Sequence, residues 1–190
     1  MTAPKLRFKE FDGDWQNIKL DSFVSFSKGK GISKADISED GKNYCIRYGE
    51  IYTTYGQVIN KVISKTHIAK SESVLSKAGD VIIPASGETQ IDIATASCVL
   101  QSDIILSGDL NILSHSENGE WLAYYLSSAK KLDIAQLAQG NSVVHLYSSQ
   151  LKNFSVHDKF HRTLILSGFC LLKIAKISLN SSFFPKPIKR

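Results

Sequence analysis

The chain has 190 residues, with 23 Lys and Arg against 18 Asp and Glu, and a formal net charge of +5. This length is enough for one domain with a hydrophobic core, or for one domain with an appendage. The three cysteines stand far apart, without metal-ligand spacing, so we expect no metal site. With no apparent signal peptide and no apolar stretch long enough to span a bilayer, we expect a cytoplasmic protein without a membrane partner.

The first third of the chain mixes large apolar side chains with turn-forming residues. Residues 1–16, which include LRFKEFDGDW, are expected to form an entry arm whose aromatic rings pack on the rest of the domain. Residues 21–27 are expected to form a short helix or strand that leads into the KGKG run at residues 28–31. Residues 44–63 are rich in Tyr, Ile, Val and Thr, with two glycine breaks, and this composition favours strands.

The middle of the chain predicts several short strands with brief connections. The Gly-Asp pair at residues 79–80 indicates a turn, and Val-Ile-Ile at residues 81–83 indicates a short buried strand that Pro84 ends. Three further strands are expected at residues 98–100, 104–106 and 110–113. Connections this short favour a small sheet that is mixed or mostly antiparallel.

One helix is predicted after these strands. Apolar residues recur at helical spacing from about Glu120 to Ala138, Asn118 precedes them as an N-cap, and Gly140 follows them in a C-terminal position. The predicted fold class is therefore α+β, with a small mixed or antiparallel sheet or barrel and a packed C-terminal helix.

The order of these segments resembles a known family. Residues 6–15, 44–52, 79–89, 121–126 and 139–142 together resemble a single target recognition domain, or half subunit, of the DNA specificity (S) subunit of Type I restriction-modification systems. The resemblance covers residues 4–157 and implies a DNA target recognition domain at residues 1–158. Residues 159–190 would then be a divergent basic and apolar tail without a domain of its own.

The tail departs from the family pattern. Residues 162–163 are Arg-Thr where the family has Glu-Gln before a long charged spacer helix, and an apolar stretch follows. We predict a C-terminal truncation or frameshift, and the alternative is a real extension whose apolar residues pack on the domain.

The resemblance implies a non-catalytic, DNA-binding subunit that reads one half of a bipartite target in double-stranded DNA. Its partners would be the DNA methyltransferase (M) and restriction (R) subunits. S-adenosylmethionine, ATP and Mg would belong to those partners, and this chain would need no cofactor.

The candidate DNA contacts fall into two groups. Basic side chains in the first half of the chain are candidates for phosphate contacts, above all Lys28 and Lys30, then Lys34, Lys42, Arg47 and Lys61. The two glycines of the KGKG run would allow the backbone to approach a phosphate. Polar side chains in two loops are candidates for base contacts, namely Ser86, Glu88, Thr89, Gln90, Asn141 and Ser142.

The net charge does not by itself predict DNA binding. Residues 1–158 hold all 18 acidic residues against 16 basic ones, so the positive excess lies in the tail. Within this body, residues 1–80 hold 13 basic and 10 acidic side chains, whereas residues 81–158 hold 3 and 8. Phosphate contacts are therefore expected mainly on the first half.

Two alternatives from other classes remain open. One is a truncated interaction protein or silent specificity cassette that does not read DNA productively. The other is a serine hydrolase-like enzyme with Ser86 as nucleophile and one of the histidines as base. Ser86 lacks, however, the glycine two residues before it that a nucleophile elbow would have. An adenine methyltransferase is not expected, because none of the four prolines lies in the Asn/Asp-Pro-Pro-Tyr/Phe tetrad that such enzymes usually carry.

Overall fold

Short strands and short helices alternate along residues 17–140 and 142–157, the part of the chain that the computed structural model describes. The strands are β1 (Asn17–Lys19), β2 (Val24–Lys28), β3 (Asn43–Ile46), β4 (Val58–Ile59), β5 (Lys65–Thr66), β6 (Val81–Pro84), β7 (Ser86–Gly87), β8 (Ser97–Val99), β9 (Ile105–Leu106), β10 (Leu110–His115), β11 (Val144–His145) and β12 (Ser155–His157). The α-helices are α1 (Glu50–Thr53), α2 (Gln90–Ile93), α3 (Gly119–Ser127), α4 (Lys131–Leu137) and α5 (Ser148–Lys152). Single 3-10 turns occupy Leu20–Ser22, Lys34–Asp36 and Lys70–Glu72.

The largest sheet has five strands in the order β2-β10-β6-β8-β4. Its pairs are antiparallel except for β4 and β8, which run parallel. A second sheet, β5-β3-β9, is also mixed, since β3 is antiparallel to β5 and parallel to β9. The pairs β7–β11 and β1–β12 complete the structure of this region. The described fold is therefore α+β with mixed sheets, as predicted.

The main sheet is covered on both faces, which explains its apolar sequence. Successive side chains of a strand point to opposite faces, and in β6 they enter two different hydrophobic cores. Val81 and Ile83 pack in a core with α3 and α4, whereas Ile82 packs in a core with α1 and β9. All three are fully buried. A strand buried on both faces has no polar alternation, so residues 81–83 read as a continuous apolar run.

The helix predicted over residues 120–138 is two helices, and that prediction was wrong in this respect. Asn118 caps α3 as predicted, because its side chain accepts a hydrogen bond of 2.8 Å from the Trp121 N–H. α3 ends at Ser127, whose hydroxyl binds the backbone N–H and C=O of Ala96 at 2.8 and 2.9 Å. The next hydroxyl, of Ser128, donates back to the Tyr124 C=O. Such side-chain bonds to the backbone compete with helix continuation, and α4 begins only at residue 131.

Residues 44–63 were expected to form strands only, and this expectation was partly wrong. β3 and β4 lie at its two ends, but α1 lies between them. The turn into α1 is set by Glu50, whose carboxylate accepts the Arg47 N–H at 2.7 Å. A local polar contact thus outweighs the strand propensity of Ile, Tyr and Thr in this segment.

Residues 17–156 form one compact unit. The entry arm predicted at residues 1–16, the domain boundary at residue 158 and the tail at residues 159–190 lie outside the described residues, so these stay predictions. Between residues 17 and 157, in the described part, no helix combines the length and the apolar character that a membrane span requires.

Candidate nucleic-acid interface

Several strands end at one edge of the main sheet. In the pairing of β10 with its neighbours, Asn111 lies opposite Lys28 of β2 and Leu110 lies opposite Pro84 of β6. β2 and β6 therefore end where β10 begins. β3 runs parallel to β9, with Ile46 opposite Leu106, and both of these strands end just before the turn that enters β10. We call residues 28–31, 47–49, 85–90 and 107–109, which leave the strands here, the loop edge.

The KGKG run packs against the turn between β9 and β10. The Gly29 N–H donates to the Leu110 C=O at 3.2 Å, and the Lys30 N–H donates to the Leu106 C=O at 3.0 Å. A Cβ atom on Gly29 would stand 1.9 Å from the Ser107 backbone oxygen. Gly31 has a φ of +59°, a conformation that glycine adopts without strain.

These contacts correct the expectation that the glycines open the backbone to a phosphate. The close approach at Gly29 is made to the chain's own backbone, and the N–H groups of Gly29 and Lys30 are already used there. The side chains of Lys28 and Lys30 are exposed. Gly29 and Lys30 therefore have no backbone N–H to offer a phosphate, and the exposed ammonium groups of Lys28 and Lys30 are the candidates for that contact.

Arg47 follows β3 and lies beside a buried carboxylate. Its Nη2 atom is 3.6 Å from Oε1 of Glu50. Glu50 also accepts the Arg47 N–H and the Ser64 hydroxyl, and only 7% of its surface is exposed. Burial, with the Glu50 charge as a second cause, raises the pKa of the nearby Cys45 thiol to about 11. Arg47 is thus restrained, in contrast with the exposed lysines.

The turn at residues 86–90 divides into structural and exposed groups. Ser86 is buried, and it lies in β7 opposite His145 of β11. The Thr89 hydroxyl accepts the Asp92 N–H and donates to the Asp92 carboxylate, so it caps α2. Gln90 donates to the Ala138 C=O at 3.4 Å. Glu88 is exposed and is the side chain of this turn best placed for an external donor.

The hydrolase alternative gains no support from this geometry. Ser86 and His145 lie opposite each other, yet within the described residues no hydrogen bond joins the Ser86 hydroxyl to a histidine. His145 stacks on Tyr147 with ring centroids 6.1 Å apart. In the described ranges no group of three His, Cys, Asp or Glu side chains is arranged to hold a metal ion.

Of the remaining candidates, Lys42 and Lys61 are exposed, and Ser142 and Lys34 can be located relative to the loop edge. Ser142 is exposed and stands two residues before β11, which pairs with β7, so it lies near the 86–90 turn. Lys34 does not join the loop edge. Its 3-10 turn contacts Thr66 through the Asp36 C=O, and Thr66 lies opposite Asn43 at the beginning of β3. Arg47 follows the other end of that strand. Asn141 lies outside the described residues.

The sequence analysis missed a tyrosine, Tyr52, that packs beside the turn at residues 86–90. Tyr52 of α1 packs beside Gly87, at 3.9 Å from the position of a Cβ atom there. Burial raises the pKa of the Tyr52 phenol, and Tyr48, Glu88 and Asp92 raise it further. Tyr52 therefore links α1 to the Glu88 turn. No sequence pattern distinguishes it from a tyrosine of the core.

No protein-family model and no curated protein matches this sequence. Solved structures do share its fold. The S subunit of a Type I restriction-modification system from M. genitalium matches with a TM-score of 0.59 and 16% sequence identity, over 94% of this chain and 44% of that chain. The HsdS subunit from Thermoanaerobacter tengcongensis matches with a TM-score of 0.58 and 12% identity, over 95% and 43%.

A third solved structure concerns the complex assembly and conformational transition of the Type I restriction-modification system. It matches with a TM-score of 0.57 and 13% sequence identity, over 91% of this chain and 44% of that chain. The chain thus spans a little under half the length of the S subunits it matches. Its fold is that of one half of such a subunit, in agreement with the resemblance seen in the sequence.

Proposed function

We propose that this chain is the sequence-specific DNA-recognition module of a Type I restriction-modification system. It would read one half of a bipartite target in double-stranded DNA. The observation that carries the proposal is the loop edge itself. In a fold shared with S subunits, this edge brings the exposed Lys28 and Lys30 to the same end of the sheet as Arg47 and Glu88.

The chemistry of the loop edge suits a duplex. Ammonium groups neutralise phosphates and supply affinity that does not depend on sequence. A carboxylate such as that of Glu88 accepts a hydrogen bond from cytosine N4, and an amide such as that of Gln90 pairs with adenine. Ser142, exposed two residues before β11, would line the same contact, and Ser86 would support it from within the sheet.

On this proposal the chain performs no catalysis. Methylation with S-adenosylmethionine and cleavage driven by ATP with Mg would belong to the M and R subunits, which it would direct to its target in the cytoplasm.

The proposal is tested by charge removal at the loop edge, with a matched control. In the full chain, Lys28→Ala/Lys30→Ala removes two exposed charges from that edge. The control, Lys77→Ala/Lys152→Ala, removes two exposed charges near the opposite ends of β6 and β2. Binding to duplex DNA is measured by fluorescence anisotropy across a salt series.

The first variant should bind all duplexes more weakly. The slope of log K against log salt should flatten by about 0.9 for each lost phosphate contact. The control should bind like wild type. Equal losses in the two variants, or no binding by wild type at low salt, would contradict the proposal.

A further inference from the structure

We infer that Arg47 reads a guanine base in the major groove, and that the buried Glu50 orients its guanidinium for this contact. The inference rests on the proposed DNA-recognition function and assigns Arg47 a role in sequence choice, where the sequence alone indicated a phosphate contact.

Glu50 is itself held in place by the fold. It is the first residue of α1, and its Oε2 atom accepts the Arg47 N–H at 2.7 Å. Its Oε1 atom accepts the Ser64 hydroxyl and lies 3.6 Å from Arg47 Nη2. A carboxylate bound at both oxygens cannot rotate freely, so it attracts the guanidinium from a fixed position. Such restraint is what a precise bidentate contact requires.

The arginine is restrained but not saturated. A separation of 3.6 Å allows Coulomb attraction but is too long for a good hydrogen bond. No residue in the described ranges accepts a hydrogen bond from the guanidinium, and the buried Nε atom has no partner there. A purely structural arginine beside a buried carboxylate usually forms a two-bond fork with it. Here the terminal nitrogens keep donors for an external acceptor, and 27% of the side chain is exposed.

Position and geometry favour a base over a phosphate. Arg47 directly follows Ile46, and the Ser107 N–H donates to the Ile46 C=O at 3.0 Å, so Arg47 lies beside the turn on which the KGKG run packs. The flexible lysines of that run suit phosphates, which need only a charge. A guanidinium can also pair with a phosphate, but Arg47 is partly buried beside the Glu50 carboxylate, and its terminal donors can meet the two in-plane acceptors of guanine, O6 and N7.

The test separates charge from geometry in the full chain. Wild type, Arg47→Lys and Glu50→Gln are each used to select duplexes from a randomised pool at low salt, about 50 mM. Binding to the selected site and to versions with each base pair changed is then measured. Arg47→Lys keeps the charge but loses the fork, and Lys28→Ala/Lys30→Ala is the matched control.

Wild type should prefer guanine at one position. Arg47→Lys should lose roughly 5- to 150-fold discrimination at that position alone, while its affinity for unrelated duplexes stays within about twofold. Glu50→Gln should weaken the same preference by a smaller factor. The lysine control should lose affinity for every duplex and keep the preference. Thermal unfolding shows whether Glu50→Gln is folded, and if it is not, Arg47→Lys decides the matter alone.

The outcomes separate this inference from the proposed function. If wild type selects a site and Arg47→Lys keeps every base preference, only the guanine assignment is overturned. If wild type binds DNA without preference, or does not bind, the recognition function fails and the assignment fails with it.

Discussion

Gly29 should be one of the least replaceable residues of the loop edge, for a reason internal to the fold. A methyl group at this position would stand 1.9 Å from the Ser107 backbone oxygen and 2.5 Å from the Leu106 oxygen. Both obstacles are backbone atoms, so no side-chain rotation relieves the clash. Gly29→Ala must therefore push the KGKG run away from the turn between β9 and β10.

The size of the effect follows from what that displacement breaks. A shift of about 1 Å would weaken the bonds from the Gly29 and Lys30 N–H groups, at 3.2 and 3.0 Å, and the bond from the Gly108 N–H to Gly31, at 2.9 Å. Overpacking costs about 1–3 kcal/mol, and each lost hydrogen bond costs about 0.5–1.5 kcal/mol. We expect Gly29→Ala to lower the free energy of unfolding by about 3–5 kcal/mol.

Gly31→Ala is the matched control, because a Cβ atom there meets nothing within 4 Å. Its cost comes only from the φ of +59° and should be about 1–2 kcal/mol. Urea unfolding followed by circular dichroism measures both variants. If Gly29→Ala is as stable as Gly31→Ala, the packing role of Gly29 is refuted. The close backbone approach at Gly29 could then be made to a bound ligand instead.

Two further predictions concern buried polar groups. Asn111 donates to the Leu146 C=O at 2.9 Å, and both residues are fully buried. Asn111→Ala should therefore lower the free energy of unfolding, measured in urea, by about 1–3 kcal/mol. An unchanged unfolding midpoint would contradict this. Burial lowers the pKa of His115, although Asp80 opposes the shift. On acidification the unfolded chain therefore takes up a proton at His115, near the ordinary pKa of about 6.5, that the folded chain resists, and the free energy of unfolding should fall as the pH drops below about 6.5. His115→Gln should make that fall shallower, and an identical pH profile would contradict the prediction.

The sequence predicted best the segments whose structure depends on near neighbours. The apolar run at residues 81–83 was identified because burial on both faces leaves only apolar residues there, and the strand at residues 110–113 was identified because it directly follows the Gly-Asp turn at residues 108–109. Asn118 was identified because its cap acts across three residues. The break after α3 could not be predicted, since the hydroxyl of Ser127 finds its partner at Ala96, 31 residues earlier.

The choice of candidate residues depended on the same difference between local and distant contacts. Lys28, Lys30 and Glu88 could be chosen because they are charged and flank strand ends, and the structure exposes them. Thr89 looked like an equal candidate, but its hydroxyl caps α2 through Asp92. The contribution of Glu50 depends on Ser64, fourteen residues away, and no local pattern predicts such a contact.

On the proposed function, the loop edge would separate the affinity for DNA from the discrimination between bases, because its charged groups differ in how they are held. Lys28 and Lys30 extend freely from a loop whose backbone is fixed by internal bonds, so they can follow a phosphate without affecting the fold. Arg47 lies 3.6 Å from the fixed Glu50 carboxylate, so on this proposal its guanidinium would adjust little to a base that does not fit it. If a few restrained side chains choose the DNA sequence, the rest of the sheet need not change when the target changes. A new specificity could then arise by changing the restrained positions while the lysines continue to supply affinity.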